Sequence, residues 1–175
     1  MKKDLFLILS EGNPNSLGRV LEVFQSVLEG EITSQDLYQL YQHEDRIVSM
    51  RVSNLLKRLW RYESTYLLPL IDRFIKDSDR LKNPTFRWTL AQILKEQISL
   101  LNPKQIQAMT KAVMDNLTMG EDWIMLVQSM DCLIDLKSLG YDIQLNKTHL
   151  TYLEKDQRKV VKNKFQIMLT KLGYR

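Results

Sequence analysis

The stretch LKNPTFRWTLAQILKEQISLLNPKQIQ, residues 81–107, sets two Asn-Pro dipeptides nineteen residues apart, Asn83-Pro84 and Asn102-Pro103. Both residue types have a mechanical meaning at a helix start. Asn accepts a hydrogen bond from a first-turn N–H that has no helical partner, and Pro at the next position has no N–H to leave unpaired. After Pro84 the apolar residues fall at Phe86, Leu90, Ile93, Leu94 and Ile98, and after Pro103 at Ile106, Met109, Val113 and Leu117. That spacing lines one face of a helix. Two amphipathic helices joined by so short a connector pack antiparallel, so residues 83–118 predict a helical hairpin.

The same reading extends in both directions. Upstream, Asp45 precedes a run with Val48, Val52, Leu55, Leu56 and Leu59 on one face, and a second run follows with Leu67, Leu68, Ile71, Phe74 and Ile75. Pro69 places the start of that second helix late, because proline is tolerated in a first turn and costs about 3 kcal/mol in an interior. Downstream, Gly120 precedes a helix with Trp123, Leu126, Val127, Met130, Leu133 and Ile134, and Gly140 is placed to end it in the left-handed conformation. A last pair spans Lys147 to Leu153 and Gln157 to Leu172, closed by Gly173. At the front, Asn15-Ser16 predicts a helix with Val20, Leu21, Phe24 and Leu28, and Ser34 a short one with Leu37, Leu40 and Tyr41.

Overlaying first helices aligns Val52, Leu55 and Leu56 with Leu90, Ile93 and Leu94 at an offset of 38, and Leu90 and Ile93 with Val127 and Met130 at 37. Hairpins repeating at such an interval stack on one another, since one helix pair cannot bury its own apolar face. The pattern resembles the HEAT and armadillo-like helical-repeat superfamily. Its local match is DRIVSMRVSNLL, with Asp45, then Arg51 six residues on, then the apolar helix; NPTFRWTLAQIL keeps an arginine as Arg87, and GEDWIMLVQSMDCL keeps an acid as Asp122. The resemblance implies an all-α fold, a right-handed α-α superhelix of stacked antiparallel hairpins. Residues 1–175 then form a single helical-repeat domain with repeats near 15–42, 45–80, 83–118 and 121–172. It also implies that Arg51 and Arg87 are structural, bonded to a neighbouring acid or carbonyl, with Asp45 the expected partner of Arg51.

Composition sets limits on function. At 175 residues and 44% hydrophobic content the chain can bury one ordinary core. No apolar run approaches the roughly 18 residues of a membrane span, and LFLIL is too short for a signal peptide, so the cytoplasm is the expected location. The single cysteine, Cys132, lies among Met130, Leu133 and Ile134 and reads as a core residue rather than a nucleophile. His43 and His149 are the only histidines, and no zinc, calcium, phosphate-loop or serine-nucleophile motif is present. No enzyme activity, metal or cofactor is expected. Trp60, Trp88 and Trp123 lie on or beside apolar stripes and read as core.

Charge has the most functional content. Residues 1–45 hold 3 basic and 8 acidic residues, 46–95 hold 11 and 4, 96–154 hold 4 and 8, and 155–175 hold 7 and 1. Stripes of one sign attract a partner of the other. The repeat resemblance implies that the second helix of each hairpin lines a concave face, and those helices carry Arg73 and Lys76, then Lys104 and Lys111, then Arg158, Lys159 and Lys162, interrupted by Asp72, Asp77 and Asp115. The expected function is a non-catalytic scaffold that binds an acidic protein or peptide at these residues. The alternative is nucleic-acid binding, as in alkylpurine DNA glycosylases, which are built on similar repeats.

Overall fold

The computed structural model describes residues 4–120 and 122–174, and every regular element among them is helical. The α-helices are α1 (Leu5–Ser10), α2 (Val20–Leu28), α3 (Ser34–Gln39), α4 (Arg46–Tyr62), α5 (Ile71–Asp77), α6 (Pro84–Glu96), α7 (Pro103–Asn116), α8 (Trp123–Ser138), α9 (Lys147–Lys155) and α10 (Lys159–Leu172). The chain gathers into two compact units, Met1–Phe86 and Arg87–Arg175, with the division inside α6.

Helix starts follow the predicted chemistry. The Asp45 carboxylate accepts from the Val48 N–H at 2.8 Å, and Asp122 accepts from Met125 at 2.8 Å. Asn102 and Gln105 form a reciprocal capping box with Pro103 at the first turn of α7. Asn83 accepts from Thr85 at 2.9 Å while its amide donates to Ser49 Oγ at 2.8 Å, so the residue that opens α6 also ties it to α4. Pro69 lies in a 3-10 turn and α5 begins only at Ile71, the late start expected. Gly140 and Gly173 both adopt positive φ just beyond the ends of α8 and α10.

In the first unit, α4 is the central helix, packed by α1, α2 and α3. Val48, Val52, Leu55, Leu56 and Leu59 are all buried, each of them stabilising by roughly 1.5–3 kcal/mol relative to exposure. Beside them Tyr38, Tyr41, Phe74 and Phe86 form an aromatic cluster, with Phe74 stacked on Phe86 at 5.1 Å and Tyr38 edge-on to Phe74 at 5.0 Å. In the second unit α8 takes the central role, packed by α7 and α10. Two ion pairs brace it, Lys95 to Asp135 at 3.0 Å and Lys164 to Asp131 at 2.7 Å.

Three expectations are corrected. Asn15-Ser16 does not open a helix: residues 11–19 are turns, bends and irregular chain, Gly18 sits at φ +54, and α2 starts at Val20. Asp45 is not the partner of Arg51, because it caps α4 while Arg51 reaches backbone carbonyls of residues 9–16. Trp123 is not core; as the first residue of α8 it is 45% exposed, whereas Trp60 is buried.

Candidate binding surfaces

Of the seven basic residues singled out by the sequence, Arg73 and Lys76 belong to the first unit and the other five to the second. Arg73 is half-buried, its guanidinium lying over the Tyr38 ring at 4.7 Å, while the Tyr38 hydroxyl bonds Asp77 at 2.8 Å. Aromatic packing thus holds Arg73 in place. Lys76, one turn on, is exposed.

In the second unit Lys104 is exposed near the start of α7, and Lys111 is paired with Asp115 at 2.9 Å one turn further along the same helix. Around the junction of α9 and α10 the arrangement is more concentrated. Arg158 grips Asp156 through Nε at 3.0 Å and through a second nitrogen, and also donates to the Gly120 carbonyl at 3.0 Å. Gly120 is close-packed there, since a Cβ on it would stand 2.9 Å from Tyr152. The Arg158 hydrogen bonds hold the Asp156 carboxyl below the usual carboxylate range. Asp156 is the only acid in residues 155–175, and this grip takes it up. Lys155, Lys159 and Lys162 remain exposed beside it and form no ion pair with a carboxylate among the described residues, although Lys162 contributes to the field on Asp156; Lys162 donates to the Gln157 side-chain carbonyl at 2.8 Å. Lys155 was not singled out by sequence, although it is the first of the seven basic residues in the C-terminal run.

The same unit carries a groove of about 520 Å³ between α7 and residues 141–149. Ile106, Met114 and Ile143 contribute apolar surface, Tyr141 flanks it, and Lys111, Asp115, Asp142 and His149 contribute polar groups. His149 is the third residue of α9 and only 7% exposed. Its Nδ1 accepts from the Asn146 N–H at 3.3 Å, and Asn146 accepts from the His149 N–H at 3.0 Å, a capping box in which histidine replaces the usual Glu or Gln. Burial lowers the His149 pKa, opposed by Asp115. Its capping role does not arise from the KTHLTYL pattern itself, since the reciprocal bond needs the actual turn.

No group of three or more His, Cys, Asp or Glu side chains able to hold a metal ion occurs among the described residues. Cys132 is fully buried, and desolvation pushes its thiol pKa up to about 12, far from a reactive thiolate at neutral pH. His43 is exposed with its ring 4.9 Å from Phe6. Arg87 is buried and donates to Asn116 Oδ1 at 2.8 Å, and Asn116 donates on to Ser129 Oγ at 3.0 Å, linking α6, α7 and α8. No helix among the described residues is long and apolar enough to cross a membrane. The chain matches no family model, no curated protein and no solved structure.

Proposed function

We propose that this chain is a non-catalytic helical binding scaffold, of the HEAT-like hairpin-repeat kind its sequence resembles, working in the cytoplasm on an acidic protein or peptide segment. The observation that carries the reading is the α9–α10 junction. Asp156 is taken up by Arg158, and Lys155, Lys159 and Lys162 stand exposed on either side of it with no ion pair to a carboxylate among the described residues. Lys159 and Lys162 are three apart on one helix and share a face. The twelve basic and twelve acidic residues of the first unit balance, whereas the second holds thirteen and nine, so the excess positive charge of the chain falls in the unit that carries this junction. Such a field attracts an acidic segment and sets its approach more than its final affinity.

Nucleic acid is the second reading, and one observation favours it. Tyr152 is 38% exposed and packs against Gly120, whose carbonyl Arg158 binds, so an aromatic face lies beside the basic residues. Base stacking next to cations is how single strands are held without sequence preference.

The discriminating experiment measures fluorescence anisotropy of a labelled Glu/Asp-rich 20-residue peptide and of a labelled 20-nucleotide single strand against the wild type and the K155E/K159E/K162E variant. The scaffold reading requires the peptide to bind the wild type and lose at least tenfold in affinity with the variant. Tight binding of the single strand with a steep salt dependence, and none of the peptide, moves the assignment to nucleic acid.

A further inference from the structure

The exposed faces of α2 and α10 each carry an apolar ridge, and the charges around the two ridges are opposite. On α2, Leu21 is 64% exposed and Phe24 and Leu28 are half-buried, spaced i, i+3 and i+7 along one side of the helix. Tyr62, exposed at the end of α4, extends this ridge with its ring edge-on to Phe24 at 6.1 Å. Beside it stand Glu22, engaged by Arg19 at 2.7 Å, and Glu29, with Glu31 in the turn that follows, all three exposed. Residues 20–45 hold six Asp or Glu and no Lys or Arg. On α10, Val160 and Ile167 are 43% and 47% exposed and lie on one side at the same i, i+7 spacing. Lys159 is exposed next to Val160, and Lys171 continues the ridge one turn past Ile167; Lys164, on the other flank, is committed to Asp131 at 2.7 Å.

Resting on the scaffold reading that Lys159 and its neighbours receive an acidic segment, we propose that this segment is α2 of a second copy of the chain, seated on α10 of the first. Apolar residues at matching intervals meet when two helices lie side by side, which sets Leu21 and Leu28 against Val160 and Ile167. The flanking charges choose the pairing. Two α2 faces bring Glu29 and Glu31 against themselves, and two α10 faces bring Lys159 and Lys171 against themselves, whereas α2 on α10 joins unlike charges. The contact therefore unites two different surfaces rather than one surface with itself. Two short helix faces make a small contact, which places the association in the weak, reversible class.

Sedimentation velocity of the full chain, over a roughly hundredfold range of concentration at low salt, tests this directly. The mean mass is expected to rise with concentration and to return toward the monomer as salt is added. K159E/K171E and E29K/E31K change exposed charges and should keep the helical circular dichroism spectrum of the wild type. Each should weaken association roughly tenfold. Mixing the two should restore it, because the acidic α2 of K159E/K171E then meets the basic α10 of E29K/E31K. Ile167→Ser, which keeps every charge, should also weaken it. A wild type that stays monomeric throughout, or a mixture that associates no better than either variant alone, overturns the proposal. The acidic 20-residue peptide separates its failure from that of the scaffold reading: a monomeric wild type that binds the peptide discards self-association alone, and one that does not bind it discards both.

Discussion

Nη1 of Arg51, in the middle of α4, donates to the carbonyl oxygen of Leu9 at 2.7 Å across 42 residues of chain. The same guanidinium reaches the carbonyls of Glu11 at 2.6 Å, Asn13 at 2.9 Å and Ser16 at 3.1 Å, so four carbonyls, from the last turn of α1 to the segment before α2, converge on one cation. The side chain is fully buried, and among the described residues its hydrogen bonds go to carbonyl oxygens rather than to a carboxylate, so carbonyl dipoles offset the loss of water. This clasp fixes the non-helical path of residues 11–18.

Arg51→Ala should destabilise the first unit by roughly 3 kcal/mol, because it leaves several carbonyls without their donor. The matching fall in its thermal midpoint is roughly 12–24 °C, read by circular dichroism. An unchanged midpoint would show that residues 11–18 hold their course without the clasp.

Gly18 is the counterpart of the clasp on the loop side. Its φ is +54, and a Cβ there would stand 2.8 Å from Arg51 Cζ. Gly18→Ala should therefore cost about 1–3 kcal/mol, from the left-handed backbone and from displacing the guanidinium. The double variant Gly18→Ala with Arg51→Ala should lose less than the sum of the two, since the steric conflict disappears with the arginine.

The reach of the sequence is visible in these two residues. The acid-to-arginine spacing that resembles a helical repeat correctly marks Arg51 as structural, and the hydrophobic period correctly places α4, α6, α7, α8 and α10 to within a few residues. The partners of Arg51 lie 35–42 residues upstream and are backbone oxygens, which carry no residue-type signature. Asp45 had a stronger local use as a helix cap. For the same reason Asn15-Ser16 resembles a helix start although the carbonyl of Ser16 is committed to Arg51. The basic residues were legible as a run; which of them Asp156, Asp115 and Tyr38 would engage depended on tertiary approach. The groove was not legible at all, since its walls come from two separate segments, α7 and residues 141–149.

Cys132 should be inert in the folded protein. Its thiol is fully buried and its pKa stands at about 12, so iodoacetamide should modify it at pH 8 only after denaturation. Rapid alkylation under native conditions would mean that α8 opens far more often than its packing implies.

Stability should fall as the solution is acidified through the histidine range. Burial sets the folded pKa of His149 below 6.5, so the unfolded chain binds a proton first, and the contribution of the neutral ring, complete above pH 6.5, is lost as pH falls toward the folded value. Asp115 opposes that shift, and Lys111, Asp142 and Lys147 are the other charged groups near the groove and the first turn of α9. His149→Gln keeps a capping-box residue at the third position and removes the titration. Urea midpoints measured from pH 7 to pH 5 should decline for the wild type and decline less for the variant; parallel declines would place the titration elsewhere.

Hydrogen–deuterium exchange on the protein with and without the acidic 20-residue peptide tests the scaffold reading most directly. The expected result is slowed exchange concentrated in residues 155–166, where Lys155, Lys159 and Lys162 are exposed around the Arg158–Asp156 pair, and loss of that protection in K155E/K159E/K162E. Peptide binding that leaves residues 155–166 unprotected, or protection that survives the charge reversal, would contradict it.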